Sequence, residues 1–282
     1  MKMRMSVWAV TVLVLVGGAF SGPAQAAGLK IGIMQAQAGD ARKYQPLLDY
    51  LGKNGLSASF VTAGTYPAAA DMFAKGQVDA MFSGSGVAGA MMIKEVAAPL
   101  ARPVNQDGTS TYSAVVIVKK GAGKFTGSND YFAGKRVIFT PLASSGEFFF
   151  RSLGASQAKE TMQAASHGAA LDALSRGQAD VAIVKNRVWD KEKSKYPDLE
   201  QIGRDSTENP DNTLIVSKKL DGATAGKLSS ALLGLEGDAS AEAKAVKESL
   251  KISKFVKTTA SDFKGTLALL KKAGVTKSFN FK

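Results

Sequence analysis

Short apolar runs alternate along the chain with longer segments whose apolar residues recur every three or four positions. Leu29–Met34 (LKIGIM) reads as a strand. Residues 43–53 carry Tyr44, Leu47, Leu48 and Leu51 at helical spacing, 58–62 (ASFVT) read as a second strand, and 67–75 as a helix. Residues 78–82 (VDAMF) give a third strand, followed by Gly84, Gly86 and an apolar helix over 87–95. The plan then recurs: a strand over 136–140 (RVIFT), a Ser144-Ser145-Gly146 turn, a helix over 147–153, another over 166–177, and a strand over 179–184 (ADVAIV). Strands alternating with helices predict parallel α/β construction.

One part of the recurrence is visible residue by residue. ADMFAKGQVDAMF (70–82) aligns without gaps on LDALSRGQADVAI (171–183), a constant offset of 101 positions. Asp71, Gly76, Gln77 and Asp79 fall on Asp172, Gly177, Gln178 and Asp180. The two glycines suit the left-handed position that ends a helix before a turn into a strand. A repeat of this kind predicts two similar lobes. Two further strands, 112–119 (YSAVVIVK) and Thr213–Ser217 (TLIVS), flank the second unit and are placed to cross between lobes. The tail, 220–282, reads as mostly helical. Lobe one is then expected over 28–114 plus 206–282, and lobe two over 115–205.

Residues 1–26 have the layout of a secretory signal peptide: Lys2 and Arg4, an apolar run over 7–16 too short to span a bilayer, and Ala24-Gln25-Ala26 as a small-residue cleavage site. The expected location is the periplasm. Among the 282 residues there is no Cys, which excludes disulfides, thiolate nucleophiles and thiolate zinc sites; a single His excludes a multi-histidine metal centre. No metal and no cofactor is expected. The net charge of +12 favours anions, yet the C-terminal lysines are scattered with few aromatics between them, so no nucleic acid is expected as a partner.

Ligands of α/β lobes bind beyond the carboxyl ends of strands, where helix amino termini offer free N–H groups. Four such turns are candidates. In Thr140-Pro141-Leu142-Ala143-Ser144-Ser145-Gly146, two hydroxyls stand beside the N–H groups of Gly146 and Glu147, an arrangement that suits an oxyanion or a plain helix cap. Ser83-Gly84-Ser85-Gly86 follows the third strand and lets the chain approach a ligand closely. The offset of 101 maps Thr65-Tyr66-Pro67 onto Ser166-His167-Gly168, so Tyr66 and His167 are equivalent donors at two helix starts, one per lobe. Lys185 and Asn186 lie just beyond the last strand of the second unit, where residues can reach the cleft. No paired base and nucleophile accompanies the lone His, so an enzyme is not expected.

These segments carry a resemblance. YQPLLDYL, TYPAAADMFAKGQVDAMFSG, TYSAVVIVKK, GKRVIFTPLASSGEFFFRSL, SHGAALDALSRGQADVAIV and NPDNTLIVSKKL, in that order, resemble the periplasmic phosphate/phosphite/phosphonate-binding proteins of ABC transporters. The resemblance implies a two-lobed type II periplasmic-binding fold with two hinge crossings that closes over a small oxyanion (phosphonate, phosphite or phosphate). It implies delivery to an inner-membrane permease by a monomer; the alternative is a sensor presenting the same anion to a membrane receptor. It places ligand contacts on Tyr66, Ser144, Ser145 and His167. Three departures stand out. Ala143-Ser144-Ser145-Gly146 has one hydroxyl fewer than the family's usual Ser-Thr-Ser-Gly, and Ser-Gly-Ser-Gly-Val-Ala follows the third strand where a Tyr is frequent. Lys185-Asn186-Arg187 stands where acidic groups often accept a hydrogen bond from the ligand; Lys185 cannot accept one.

Overall fold

A computed structural model describes residues 28–34, 39–141, 145–154 and 157–280. The expected signal peptide and Ser144 lie outside the described residues, as does the side chain of Ser145. The first unit runs β1 (Leu29–Met34), α1 (Gln45–Lys53), β2 (Ala58–Ala63), α2 (Tyr66–Ala74), β3 (Ala80–Ser83) and α3 (Ser85–Ile93). β4 (Ala97–Asn105) and the two-residue β5 (Thr111–Tyr112) lead to β6 (Ala114–Lys119). The second unit follows as β7 (Arg136–Phe139), α4 (Ser145–Ser152), β8 (Glu160–Gln163), α5 (His167–Ser175), β9 (Val181–Lys185), α6 (Asn186–Glu192) and β10 (Leu199–Arg204). The chain returns through β11 (Asn209–Pro210) and β12 (Thr213–Ser217), and closes with α7 (Gly222–Gly234), α8 (Ala241–Leu250), β13 (Ile252–Lys257) and α9 (Lys264–Lys272).

Two sheets form, one per lobe. The order β2-β1-β3-β12-β4-β13 in the first is matched by β8-β7-β9-β6-β10 in the second. In each, three parallel strands from an α/β unit meet an antiparallel strand that has just crossed between lobes: β12 on β3, and β6 on β9. The sheets are therefore mixed rather than all parallel, because each crossing strand enters its sheet antiparallel to the strand it joins. A two-stranded ribbon, β5 against β11, pairs Tyr112 with Asn209 and lies in the crossings themselves.

The repeat in sequence is a repeat of local chemistry. Thr65 caps α2 by accepting the N–H of Ala68 at 3.2 Å, and Ser166 caps α5 by accepting that of Ala169 at 3.1 Å. Gly76 (φ 71°) and Gly177 (φ 74°) then take the left-handed conformation that a Cβ would strain. Asp79 and Asp180 each accept a backbone N–H from the adjoining strand at 2.8 Å, from Lys30 and Arg136 respectively. Like caps, stops and cross-strand bonds thus recur at the same positions of the helix–turn–strand unit in both lobes.

The C-terminal tail contains a strand as well as helices. Ile252 and Phe255 of β13 are buried three positions apart, a spacing that reads as helical. The register shift between Ile252 and Lys254 turns both inward from one strand. β4 carries Pro99 and Pro103, which disfavour a strand flanked on both sides. It is nonetheless paired with β12 and β13, and each of those ladders has a register shift. The predicted strand over 112–119 is divided at Ser113, whose N–H goes to Asn186 Oδ1 at 3.0 Å and whose hydroxyl goes to the carbonyl of Thr207. Among the described residues no helix is long and apolar enough to cross a membrane.

Candidate functional site

The strands β1, β3 and β9 all end at one place. Met34, Ser83 and Lys185, their last residues, line a cavity of about 340 Å³ together with Tyr66 at the start of α2. Tyr44, Asp211 and Asn212 complete its polar wall. Strand ends put side chains here because the helices that follow turn away from the sheet and leave a crevice.

Ser83 is 6% exposed, and its hydroxyl has no hydrogen-bond partner among the described residues. A buried hydroxyl without a partner is destabilising by about 1–3 kcal/mol unless something from outside satisfies it. Tyr66 is half-buried; burial pushes its phenol above the ordinary value, against the opposing pull of Lys185, so it stays a neutral donor. Tyr44 is likewise held up by burial, and its oxygen accepts from Asn212 Nδ2 at 3.2 Å, leaving the phenolic proton free to donate.

Lys185 reaches the cavity but not as a bare charge. Its Nζ lies 2.6 Å from Asp211 Oδ1 and 4.3 Å from the centre of the Tyr112 ring. Asp211 Oδ2 also accepts from Arg187 at 3.2 Å. Burial alone would raise the Asp211 pKa; Lys185 and then Arg187 outweigh it and hold the carboxyl below its usual range. Arg187 also pairs with Asp107 at 3.6 Å, so two cations and two carboxylates balance beside the cavity. Asn212 takes a left-handed backbone (φ 44°) directly after Asp211.

His167 stands first in α5, as Tyr66 does in α2. Its Nδ1 accepts the backbone N–H of Lys185 at 3.4 Å and faces Thr140 Oγ1 at the same distance. Burial, reinforced by the Lys185 charge, lowers its pKa to about 3. The ring is neutral at physiological pH, and with Nδ1 accepting, the proton sits on Nε2. A smaller cavity of about 150 Å³ lies between Tyr66 and Pro67 of one lobe and Pro141, Ala164 and Ala165 of the other, so the lobes face each other at this point.

Of the residues singled out in sequence, Tyr66, Ser83 and Lys185 meet in one cavity, with His167 bonded to the backbone of Lys185. Gly146 is buried in the first turn of α4. Ser85 and Asn186 do not line the cavity: the Ser85 hydroxyl is buried against the Tyr112 hydroxyl, and Asn186 Oδ1 accepts the N–H of Ser113 at the crossing. Sequence reasoning missed Tyr44, Asp211 and Asn212. NPDN at 209–212 is polar and has no hydrophobic period of its own; an Asp next to a crossing was the available signal.

The family of ABC-transporter periplasmic substrate-binding proteins for phosphonate matches residues 31–263. Among solved structures, PhnD1 from Prochlorococcus marinus in complex with methylphosphonate is 18% identical, with a TM-score of 0.67 over 87% of this chain and 98% of that one. A binding protein component of an ABC phosphonate transporter from Pseudomonas aeruginosa is 20% identical, with a TM-score of 0.64 over 87% and 85%. A Xanthomonas citri protein bound to ATP is 17% identical, with a TM-score of 0.72 over 87% and 96%. No curated protein matches at the level of sequence. These likenesses carry the two-lobed type II periplasmic-binding fold.

Proposed function

Since this chain belongs to the family of periplasmic substrate-binding proteins of phosphonate ABC transporters, we propose that it captures a phosphonate between its two lobes and presents it to the transporter's permease. The observation that carries the reading is Ser83. Its buried hydroxyl lacks a partner among the described residues, and the residue lines a cavity edged by Lys185 and the neutral donors Tyr66 and Tyr44. A phosphonate oxygen would accept from that hydroxyl and lie next to the Lys185 ammonium.

The lobes close about the paired crossings β5 and β11. Closure is favoured only to the extent that the ligand touches both lobes, here Ser83 and Tyr66 on one side and Lys185 and His167 on the other. His167, with its proton on Nε2, acts as a neutral donor. Ser145 and Gly146 at the start of α4 add the positive end of a helix, and Ser144 precedes them in the sequence. The lobe boundaries 28–114 plus 206–282 and 115–205 fit this motion, since the crossings fall at their joins. Residues 1–26 direct export to the periplasm and are removed there, and the protein acts as a monomer without catalysing a reaction.

Titration calorimetry and thermal shift with methylphosphonate, phosphate, phosphite and sulfate test the reading. Methylphosphonate at about one hundred times its dissociation constant should stabilise the fold by about 2.7 kcal/mol. That corresponds to a rise in Tm of roughly 5–11 °C for a chain of this size. A Tm unmoved by every one of these anions overturns it.

A further inference from the structure

The cavity at the strand ends does not stop at Tyr44. A second chamber of about 240 Å³ adjoins it, and Lys43, Tyr44, Phe82, Lys185, Asp211 and Asn212 line both. The far side of this chamber is built by Pro103 and Asn105 of β4, Leu250 at the end of α8, and Ile252 and Phe255 of β13. The first chamber alone falls within the roughly 300–1,000 Å³ of sites that hold organic ligands of many atoms. Methylphosphonate, with five heavy atoms, leaves most of this space unfilled.

The chemistry of the shared wall selects what fills it. Asp211 is the only carboxylate among the described residues lining either chamber, and its charge is already paired with two cations, Lys185 and Arg187. An ammonium substituent would have to share that carboxylate with two cations already on it, with Lys43 on the same lining. Donors, by contrast, are in surplus. The Tyr44 hydroxyl accepts from Asn212 and keeps its proton to give. Lys43 lines both chambers and is exposed, 5.3 Å from the Tyr44 ring centre, and has no ion pair among the described residues.

We propose that the natural ligand is a phosphonate whose substituent carries a second anionic group, held by Lys43 on the lining that the two chambers share. The proposal rests on the phosphonate reading of the site and names the substrate class within it. The phosphonate group sits at Ser83 and the strand ends; the substituent passes Tyr44, which donates to it; and the second anion lies against the Lys43 ammonium.

Calorimetry with methylphosphonate, phosphonoacetate and 2-aminoethylphosphonate separates the possibilities. Phosphonoacetate should bind at least about tenfold more tightly than 2-aminoethylphosphonate, the scale of one hydrogen bond to a charged group. Lys43→Gln should bring phosphonoacetate and methylphosphonate to within about threefold of each other, whereas Lys43→Arg should keep them apart. Binding of 2-aminoethylphosphonate as tight as phosphonoacetate, or a phosphonoacetate preference that survives Lys43→Gln, overturns the proposal while the phosphonate reading stands. Binding of none of the three overturns both.

Discussion

Asp211→Asn tests the electrostatics of the site most directly. The substitution keeps the shape of the side chain and removes the one carboxylate set between Lys185 and Arg187, at 2.6 and 3.2 Å. The three side chains are 12%, 19% and 24% exposed, for Asp211, Lys185 and Arg187 in turn, so solvent replaces little of what is lost. Each pair is worth about 4 kcal/mol of Coulomb attraction at an effective dielectric of 20 and a charge separation near 4 Å. Much of that offsets desolvation, and removing one partner of such a buried arrangement typically leaves a loss of about 3–5 kcal/mol. Without ligand, the variant should therefore melt roughly 6–20 °C below the wild type. A bound phosphonate restores negative charge beside Lys185, so the affinity for methylphosphonate should rise about tenfold or more. Thermal melts with and without methylphosphonate, joined to calorimetry, read both effects. The double variant Asp211→Asn with Lys185→Met should regain stability and lose the gain in affinity, which separates electrostatics from a damaged fold. A lowered Tm with affinity within about twofold of wild type would show that Lys185 serves only the fold. A Tm within about one degree would show that the pairs are solvated and the reasoning wrong.

Three further outcomes follow from the same structure. Ser83→Ala should weaken methylphosphonate binding by about 1–3 kcal/mol by calorimetry, while chemical denaturation finds the unliganded protein no less stable, because the hydroxyl it removes has no partner. His167 is neutral in the folded chain down to about pH 3, whereas an unfolded His takes up a proton below about 6.5. Stability should thus fall by a few kcal/mol, at most about 4–5, as the pH drops from 6.5 toward 3, and His167→Asn should flatten that decline in urea melts. Gly89→Val should destabilise by about 1–3 kcal/mol, since even a Cβ at this point in α3 would lie 2.4 Å from Leu270 Cδ1, a fully buried side chain of α9 that has no room to withdraw; an unchanged urea midpoint would refute this packing.

What the sequence determined by itself is what neighbouring residues decide among themselves. Thr65 and Ser166 start helices, Gly76 and Gly177 stop them, and Asp79 and Asp180 tie the next strands, all within a few residues of chain. Read at an offset of 101, these signals gave two like lobes, and Tyr66 and His167 do open equivalent helices. β4 and β13 were hidden because register shifts put their prolines and their buried residues out of step with a strand's period of two. The site was legible where a strand ends in a small or charged residue, as at Ser83 and Lys185, and where the repeat marks a helix start, as at Tyr66. Its balance of charge was not. Asp211 reaches Lys185 from 26 positions away, and Asn212 reaches Tyr44 from 168 positions away, because the crossings return the chain to the first sheet beside β3. A charge seen in sequence has a sign but no neighbours. Only the tertiary structure decides whether Lys185 meets a ligand bare or already paired, since that depends on groups within a few ångströms in space, which spacing along the chain does not encode.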